Sequence, residues 1–276
     1  VATQTTPTSP AAWRPDITEY LPGDAIPEAL ILTHAIVAGS IEGDEPAVRV
    51  PFVADDGAAA IVAEGASIAE SDQGYDEAVV QTVKVAKLTK HSYETLAQPE
   101  AARLIIDSLT RSVTRKANAA FLGNASGPTG LLNYAGITDG GVIGDNLDAL
   151  VDAIADIETA GGTATNIIAA PDAWASLSKL KDEDTSNRSL IGAGTESATR
   201  SLLSVPVTVT PDMTAGKLLV IDRNDIVAAV SKVRVDRSDQ AYFSSDSIAV
   251  RVIFRLGWDV MHPNRLARLS MPVSGS

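Results

Sequence analysis

An α+β fold is what this sequence predicts, on three observations. One long amphipathic helix runs from Pro99 to Gly123, helices and short strands alternate between residues 125 and 228, and from Ile226 onward the chain reads as strand. Alternation in one stretch and segregated strands in another is the pattern of a mixed, layered architecture. Of the 276 residues 45% are apolar but only 4% aromatic, so the core must be made of Ala, Val, Leu and Ile.

Residues 1–44 read as an arm. Pro7, Pro10, Pro15, Pro22 and Pro27 forbid a long helix there. A short helix is expected near Pro27 to Val37, with Pro27 at its first position. Ala47-Val-Arg-Val-Pro-Phe-Val53 alternates as a strand, and Pro51 places it at an edge or a bulge. A second strand runs from Val79 to Leu88, with Val79, Val83 and Val85 on one side and Lys84 on the other. Ala54 to Ala78, between them, is rich in Ala, Gly and acids. The two strands therefore form a long hairpin, and a connection of that length usually has a binding role.

In the long helix, Ala102, Ile105, Ile106, Leu109, Val113, Ala117, Ala120 and Phe121 recur at helical spacing, while Arg103, Asp107, Arg111, Arg115 and Lys116 fall largely off that face. Pro99 sits in its first turn and Gly123-Asn124 stops it. Its length is about 36 Å at 1.5 Å per residue. After a glycine-rich link, Asp145 is a good N-cap for a second helix with an inward stripe of Leu147, Leu150, Val151, Ile154 and Ile157, ended by Gly161-Gly162. A strand from Asn166 to Ala170, a helix from Pro171 to Leu180 with Trp174, Leu177 and Leu180 inward, a surface loop from Asp182 to Thr199, and strands Val205–Val209 and Leu218–Ile221 complete an α/β unit. The tail holds strands Ile226–Val235 and Ile248–Arg255 around a turn at Ser238–Ser245, then Ala267-Arg-Leu-Ser after His262-Pro263.

Cysteine is absent, which excludes disulfides, thiolate metal sites and cysteine nucleophiles. His34, His91 and His262 lie far apart, against a His-rich metal site. Net charge is −13, against a dedicated nucleic-acid grip. That charge is uneven. Residues 1–80 carry two bases against fourteen acids, residues 81–228 thirteen against seventeen, and residues 229–276 seven against four. The acidic first third is either a solvated face or an extension that lies across a less acidic or basic surface, another copy of the chain being one place for it, where opposite charges set docking register. The opening has neither the basic n-region nor the apolar h-region of a secretory signal, and no run of about 18 apolar residues spans a membrane. The first residue is Val1, as expected of a processed chain or one numbered within a longer precursor.

Catalytic motifs fail on inspection. Gly216-Lys217 has Pro211 where a phosphate loop needs its first Gly and Leu218 where it needs a hydroxyl. Gly192-Ala-Gly194 has Ser197 in place of the third Gly of a dinucleotide fingerprint. Gly65-Ala-Ser67-Ile-Ala69 misses the last Gly of a nucleophile elbow. Asn124-Ala-Ser126 and Asn187-Arg-Ser189 are glycosylation sequons by spelling only. Asp55-Asp56 and Asp182-Glu183-Asp184 have the chemistry for a hard cation but are the kind of acidic loop that is commonly just solvated. His91 beside Tyr93 and Glu94 is an acid–base set only by adjacency in sequence. No nucleophile, base and oxyanion site assemble.

Certain segments stand in a telling order: Ala60-Ile-Val-Ala-Glu64-Gly65 followed by Val79 to Leu88; Pro99 to Gly123; Phe121-Leu-Gly-Asn-Ala-Ser-Gly-Pro-Thr-Gly-Leu-Leu132; Ala170-Pro-Asp-Ala-Trp174; Leu203-Ser-Val-Pro-Val207; and Arg251 to Leu269 with Val260-Met-His-Pro-Asn-Arg-Leu-Ala-Arg-Leu269. From about Ile26 to Val273 the chain resembles a tailed-phage major capsid protein of the Hong Kong 97 type, in its processed form. The resemblance implies an N-terminal arm (1–44), an extended hairpin loop, or E-loop, with its strands (45–90), the spine helix of a peripheral domain (91–124), an axial α/β domain (125–228) and peripheral return strands (229–276).

It implies a structural protein, not an enzyme, with no catalytic, cofactor-binding or metal-ligating residue. Copies of the chain would form pentamers and hexamers of an icosahedral virion capsid around packaged double-stranded DNA, which it touches non-specifically. Portal and cement or decoration proteins would be further partners, with no membrane involved and assembly in the host cytoplasm. Val1 fits the family's removal of an N-terminal scaffolding segment. Some members weld subunits through a loop lysine, but there is no Lys between Glu42 and Gln81, so non-covalent stabilisation is expected. The alternatives are an encapsulin-type nanocompartment shell of the same fold and an α/β enzyme using the acidic clusters.

Overall fold

Val- and Ile-rich runs pair into two sheets, each with a helix packed on it. The computed structural model describes residues 17–40, 47–96, 99–181, 189 and 200–272. In chain order the elements are β1 (Ile17–Tyr20), α1 (Pro22–Ala25), α2 (Leu30–His34), β2 (Ile36–Ser40), β3 (Ala47–Asp55), β4 (Gly74–Ser92), α3 (Tyr93–Leu96), α4 (Pro99–Gly123), β5 (Thr138–Val142), α5 (Asp148–Thr159), β6 (Asn166–Ala169), α6 (Pro171–Lys179), β7 (Ser201–Leu202), β8 (Val205–Val209), β9 (Lys217–Ile221), β10 (Ile226–Val230), β11 (Val233–Tyr242), β12 (Ser247–Val260) and β13 (Leu266–Ser270).

The seven-stranded sheet is organised on β12. β4 pairs along one edge of it from Ser247↔Ser92 to Gly257↔Thr82. On the other edge β11 takes the first half and β10 the second. β1 flanks β11, β2 runs parallel to β10, and β3 pairs with the outer part of β4. The six-stranded sheet has the order β5-β13-β9-β6-β8-β7.

One continuous core joins the two sheets. α4 contributes Leu109, Val113, Ala117, Phe121 and Leu122, all buried. Phe121 meets Trp258 of β12 edge to face, with ring centroids 5.4 Å apart. Trp258 Nε1–H donates to the Thr129 carbonyl at 2.7 Å, so its polar edge is satisfied in the core. Buried Asn118 accepts from Leu30 N–H at 2.9 Å and donates to Asp212 at 3.0 Å, tying the N-terminal segment, α4 and the β8–β9 turn together. On the other sheet Leu150, Ala153 and Ile157 of α5, with Ala173 and Leu177 of α6, are buried. Each large aliphatic buried here is worth about 1.5–3 kcal/mol relative to exposure. Among the described residues no helix is long and apolar enough to cross a membrane.

The structure differs from the sequence expectations at several places. Pro27 lies in a turn, and the short helix is only Leu30–His34, because β-branched Ile36 and Val37 pair with β10. α5 starts at Asp148, not after Asp145, and Asn146 Oδ1 accepts the Asp148 N–H at 3.3 Å. Val151 lies off the buried stripe and Ala153 lies on it. The glycine-rich link holds β5, parallel to β13. Ile226–Val235 is two strands parted at Ser231-Lys232. Leu266–Ser270, read with the return strands, pairs instead between β5 and β9 in the six-stranded sheet. Ile106 is part-exposed because it lines an open groove of about 430 Å³ with Ala25–Glu28, Val233 and Val235. Residues 1–16 and 41–46 of the arm, the loop at 182–199 except Ser189, and Val273 fall outside the described residues.

Candidate functional site

Two surfaces stand out, an outlying hairpin and a basic sheet face. β3 and β4 pair from Ala47↔Gln81 to Asp55↔Gly74, so the connection shortens to residues 56–73. β4, with 19 residues, is about 60 Å long at strand rise, and its first half leaves the main sheet with β3. Of residues 56–73 only Gly57 and Val62 are even partly shielded, while Ile61 and Ile68 stand in solvent. The neck is pinned by Gly57 N–H to Asp55 Oδ1 and Ala58 N–H to Ser71 Oγ, both 3.0 Å. From Val50 to Val83 there is no Lys or Arg, but there are Asp55, Asp56, Glu64, Glu70, Asp72, Asp76 and Glu77. This is an acidic arm with an apolar tip.

The opposite charge lies on the sheet face turned away from α4. In β4 the even positions from Lys84 to Lys90 are exposed while Val83 and Val85 pack inward. Directly across the ladder, Lys84 faces Arg255 and Leu88 faces Arg251, and Arg251 in turn faces Asp236 of β11. Arg234 shares this face. The three strands thus present Lys84, Lys90, Arg234, Arg251 and Arg255 around the carboxylate of Asp236, with Glu19 of β1 at the register position opposite Arg234. Asp236 accepts from Arg234 Nε at 2.7 Å and from Arg251 Nε at 3.0 Å. Partial burial opposes its ionisation, but the two guanidinium donors prevail and hold the carboxyl below its ordinary range. Lys84 opposite Arg255 is a like-charge cross-strand pair, which costs stability when nothing anionic covers it.

The acidic and histidine features singled out in the sequence do not converge. Asp55 serves the hairpin neck, and among the described residues no cluster of three metal-ligating side chains exists. His91 Nε2 lies 2.9 Å from Thr89 Oγ1 of the same strand. Gly65-Ala-Ser67 lies in the exposed connection, and Asp182–Asp184 and Gly192–Gly194 lie outside the described residues. The basic face was not visible as a site because three distant strands build it. Its signal was present as cations at even spacing, Lys84 with Lys90 and Arg251 with Arg255.

The family model described as Phage capsid family matches residues 37–271. No curated protein matches the sequence. The fold is similar to a chain of the capsid of an empty GTA particle, at TM-score 0.70 and 18% identity over 98% of this chain and 99% of that one. It is similar to a chain from Gordonia phage Cozz, at TM-score 0.70 and 18% identity over 94% and 89% of the two chains. It is also similar to a chain from Mycobacterium phage Bobi, at TM-score 0.72 and 15% identity over 100% of both.

Proposed function

This chain belongs to the phage capsid family, and from that premise we propose how a structural capsid protein of this shape builds its shell. The acidic hairpin of one copy lies across the basic sheet face of the next. The observation that carries this reading is the pairing of two unsatisfied surfaces. Residues 56–73 bury almost nothing against the rest of the described chain, and among the described residues Lys84 and Arg255 face each other without an anion between them. Covering Ile61 and Ile68 supplies the apolar contribution to docking, and the charges set register and encounter rate.

In the finer reading the protein is of the Hong Kong 97 type. Residues 1–44 are the arm, 45–90 the E-loop and its strands, 91–124 the spine helix region, 125–228 the axial domain and 229–276 the peripheral return, with β13 returned to the axial sheet. Copies form the hexamers and pentamers of an icosahedral shell around double-stranded DNA, assembled in the host cytoplasm and joined by portal and cement proteins. The absence of Lys from Val50 to Val83 favours non-covalent closure.

The test is to replace residues 57–72 by a short Gly-Ser turn and image the product. A folded subunit with an unchanged circular dichroism spectrum and no closed particles is expected. Normal shells from this variant would refute the reading.

A further inference from the structure

The hairpin is held at its root by two contacts that come from one short return segment. The first grips β4. Beyond Thr82 that strand no longer pairs with β12, and the backbones cross so closely at Gly257 that a Cβ there would overlap the Gln81 carbonyl. Just past this crossing Asp259 Oδ2 accepts the Val79 N–H at 3.0 Å. The other carboxylate oxygen accepts Val260 N–H at 3.0 Å and the Tyr134 hydroxyl. Burial first, and Asp259 beside it, push the Tyr134 hydroxyl up to about 12, so it remains a donor.

The second contact grips β3. The His262 ring meets Phe52 edge to face, with centroids 5.3 Å apart. His262 Nδ1 lies 2.6 Å from Oδ1 of buried Asp225. Arg265 Nη1 donates to both oxygens of the same carboxylate at 3.3 Å, and its Nε donates to the Ala160 carbonyl at the end of α5 at 3.0 Å.

Both grips are thus anchored in the neighbourhood of the six-stranded sheet. Tyr134 precedes β5, Asp225 follows β9, and Ala160 caps α5. Among the described residues the apolar base beneath the hairpin is a small satellite cluster of Ala78, Val80, Val227 and Ala229, rimmed by Val48, Val50, Phe52 and Met261 and separate from the main core. So small an apolar base resists sliding weakly, while a directional hydrogen bond and an edge-on ring fix an angle.

We infer that Asp259 and His262 are positioning residues that set the launch angle of the hairpin and couple it to the six-stranded unit, so that shell curvature is transmitted through this clamp. The inference rests on the capsid reading above. Its test uses the full chain, with shells imaged by electron microscopy and amide exchange followed at Val79.

Asp259→Ala is expected to speed exchange at Val79, to leave the protection of 167–169 and 218–221 as in the parent, and to broaden the particle diameters or leave shells open. Asp259→Asn keeps an oxygen for Val79 and is expected to restore uniform shells. His262→Phe keeps the ring on Phe52 but loses Asp225, and is expected to broaden the diameters as well. Shells of parental uniformity from Asp259→Ala, with Val79 exchange accelerated, would overturn the inference. If Asp259→Ala does not fold, His262→Phe decides by the same readout: broadened diameters support the clamp and parental shells overturn it. Should the parent chain form no shells, the assembly reading falls, and the clamp is then decided by exchange alone. Val79 exchange unchanged in both Asp259→Ala and His262→Phe would overturn it, and faster exchange with the sheet protected would support it.

Discussion

The connection at 56–73 and the strand pair β6–β9 draw on similar small and branched aliphatics, yet they end in opposite surroundings. Ile167–Ala169 and Leu218–Ile221 are wholly buried, whereas Ile61 is fully exposed and Ile68 largely so. What separates them is the availability of a partner within the chain. β6 and β9 have neighbours on both edges and α5 and α6 in the same unit, while residues 56–73 belong to no sheet and to neither apolar cluster. A single fold therefore contains a part that is covered within its own chain and a part that is not.

The sharpest way to break this contrast is to substitute matched aliphatics on each side of it. Leu219→Ala is expected to lower subunit stability by about 2–5 kcal/mol, because a buried side chain leaves a cavity. Ile61→Ala is expected to stay within about 0.5 kcal/mol of the parent in the same denaturant titration. The order reverses in an assembly assay, where Ile61→Ala loses closed particles. Equal effects of both substitutions on subunit stability would erase the distinction.

A smaller and opposite-signed effect is expected on the basic face. Lys84→Glu turns a like-charge pair with Arg255 into an attractive one, so the isolated subunit gains about 0.2–1 kcal/mol. The same change opposes the acidic hairpin of a neighbour, so shells form less readily. Thermal melting of subunits and light scattering during assembly should move in opposite directions. If they move together, the face is structural only.

The smallest effect belongs to the compact side. His34 of α2 lies 3.1 Å from Thr208 Oγ1 of β8 and joins the N-terminal segment to the six-stranded sheet. Burial chiefly holds its imidazole below 6.5, opposed by the Leu30 carbonyl and assisted by Arg223. A lowered folded value means that the unfolded chain takes up the proton first. The stability His34 contributes is therefore present above pH 6.5 and is lost as pH falls through the folded value. Melting temperature should decline on acidification below that point, and His34→Gln should remove this part of the slope while the hairpin's exchange pattern stays unchanged.

The sequence was most readable where a local signal coincided with a tertiary one. Pro99 and Gly123 bound α4 as expected, since a proline in the first turn and a glycine at the end act through the backbone alone. β5 escaped because Thr138-Asp-Gly-Gly-Val142 has no strand propensity and is held by β13 from the far end of the chain. β4 proved longer than its valine run because its polar ends are fixed by β3 on one side and β12 on the other. The hairpin was legible from its composition. The basic face was not, because its cations meet only when β4, β11 and β12 lie side by side. The Asp259 and His262 grips were less visible still, since each rests on a single long-range contact.

β13 stands between β5 and β9, yet it is synthesised only after β10, β11 and β12. Until it arrives, β5 has no neighbour and one edge of β9 is bare. A nascent chain thus displays its acidic hairpin before its inner sheet is closed. Polypeptides cut short before residue 266 would carry a raw sheet edge and be prone to aggregation and proteolytic removal rather than incorporation. The inner sheet of each subunit is therefore closed by almost the last stretch of this sequence to be made.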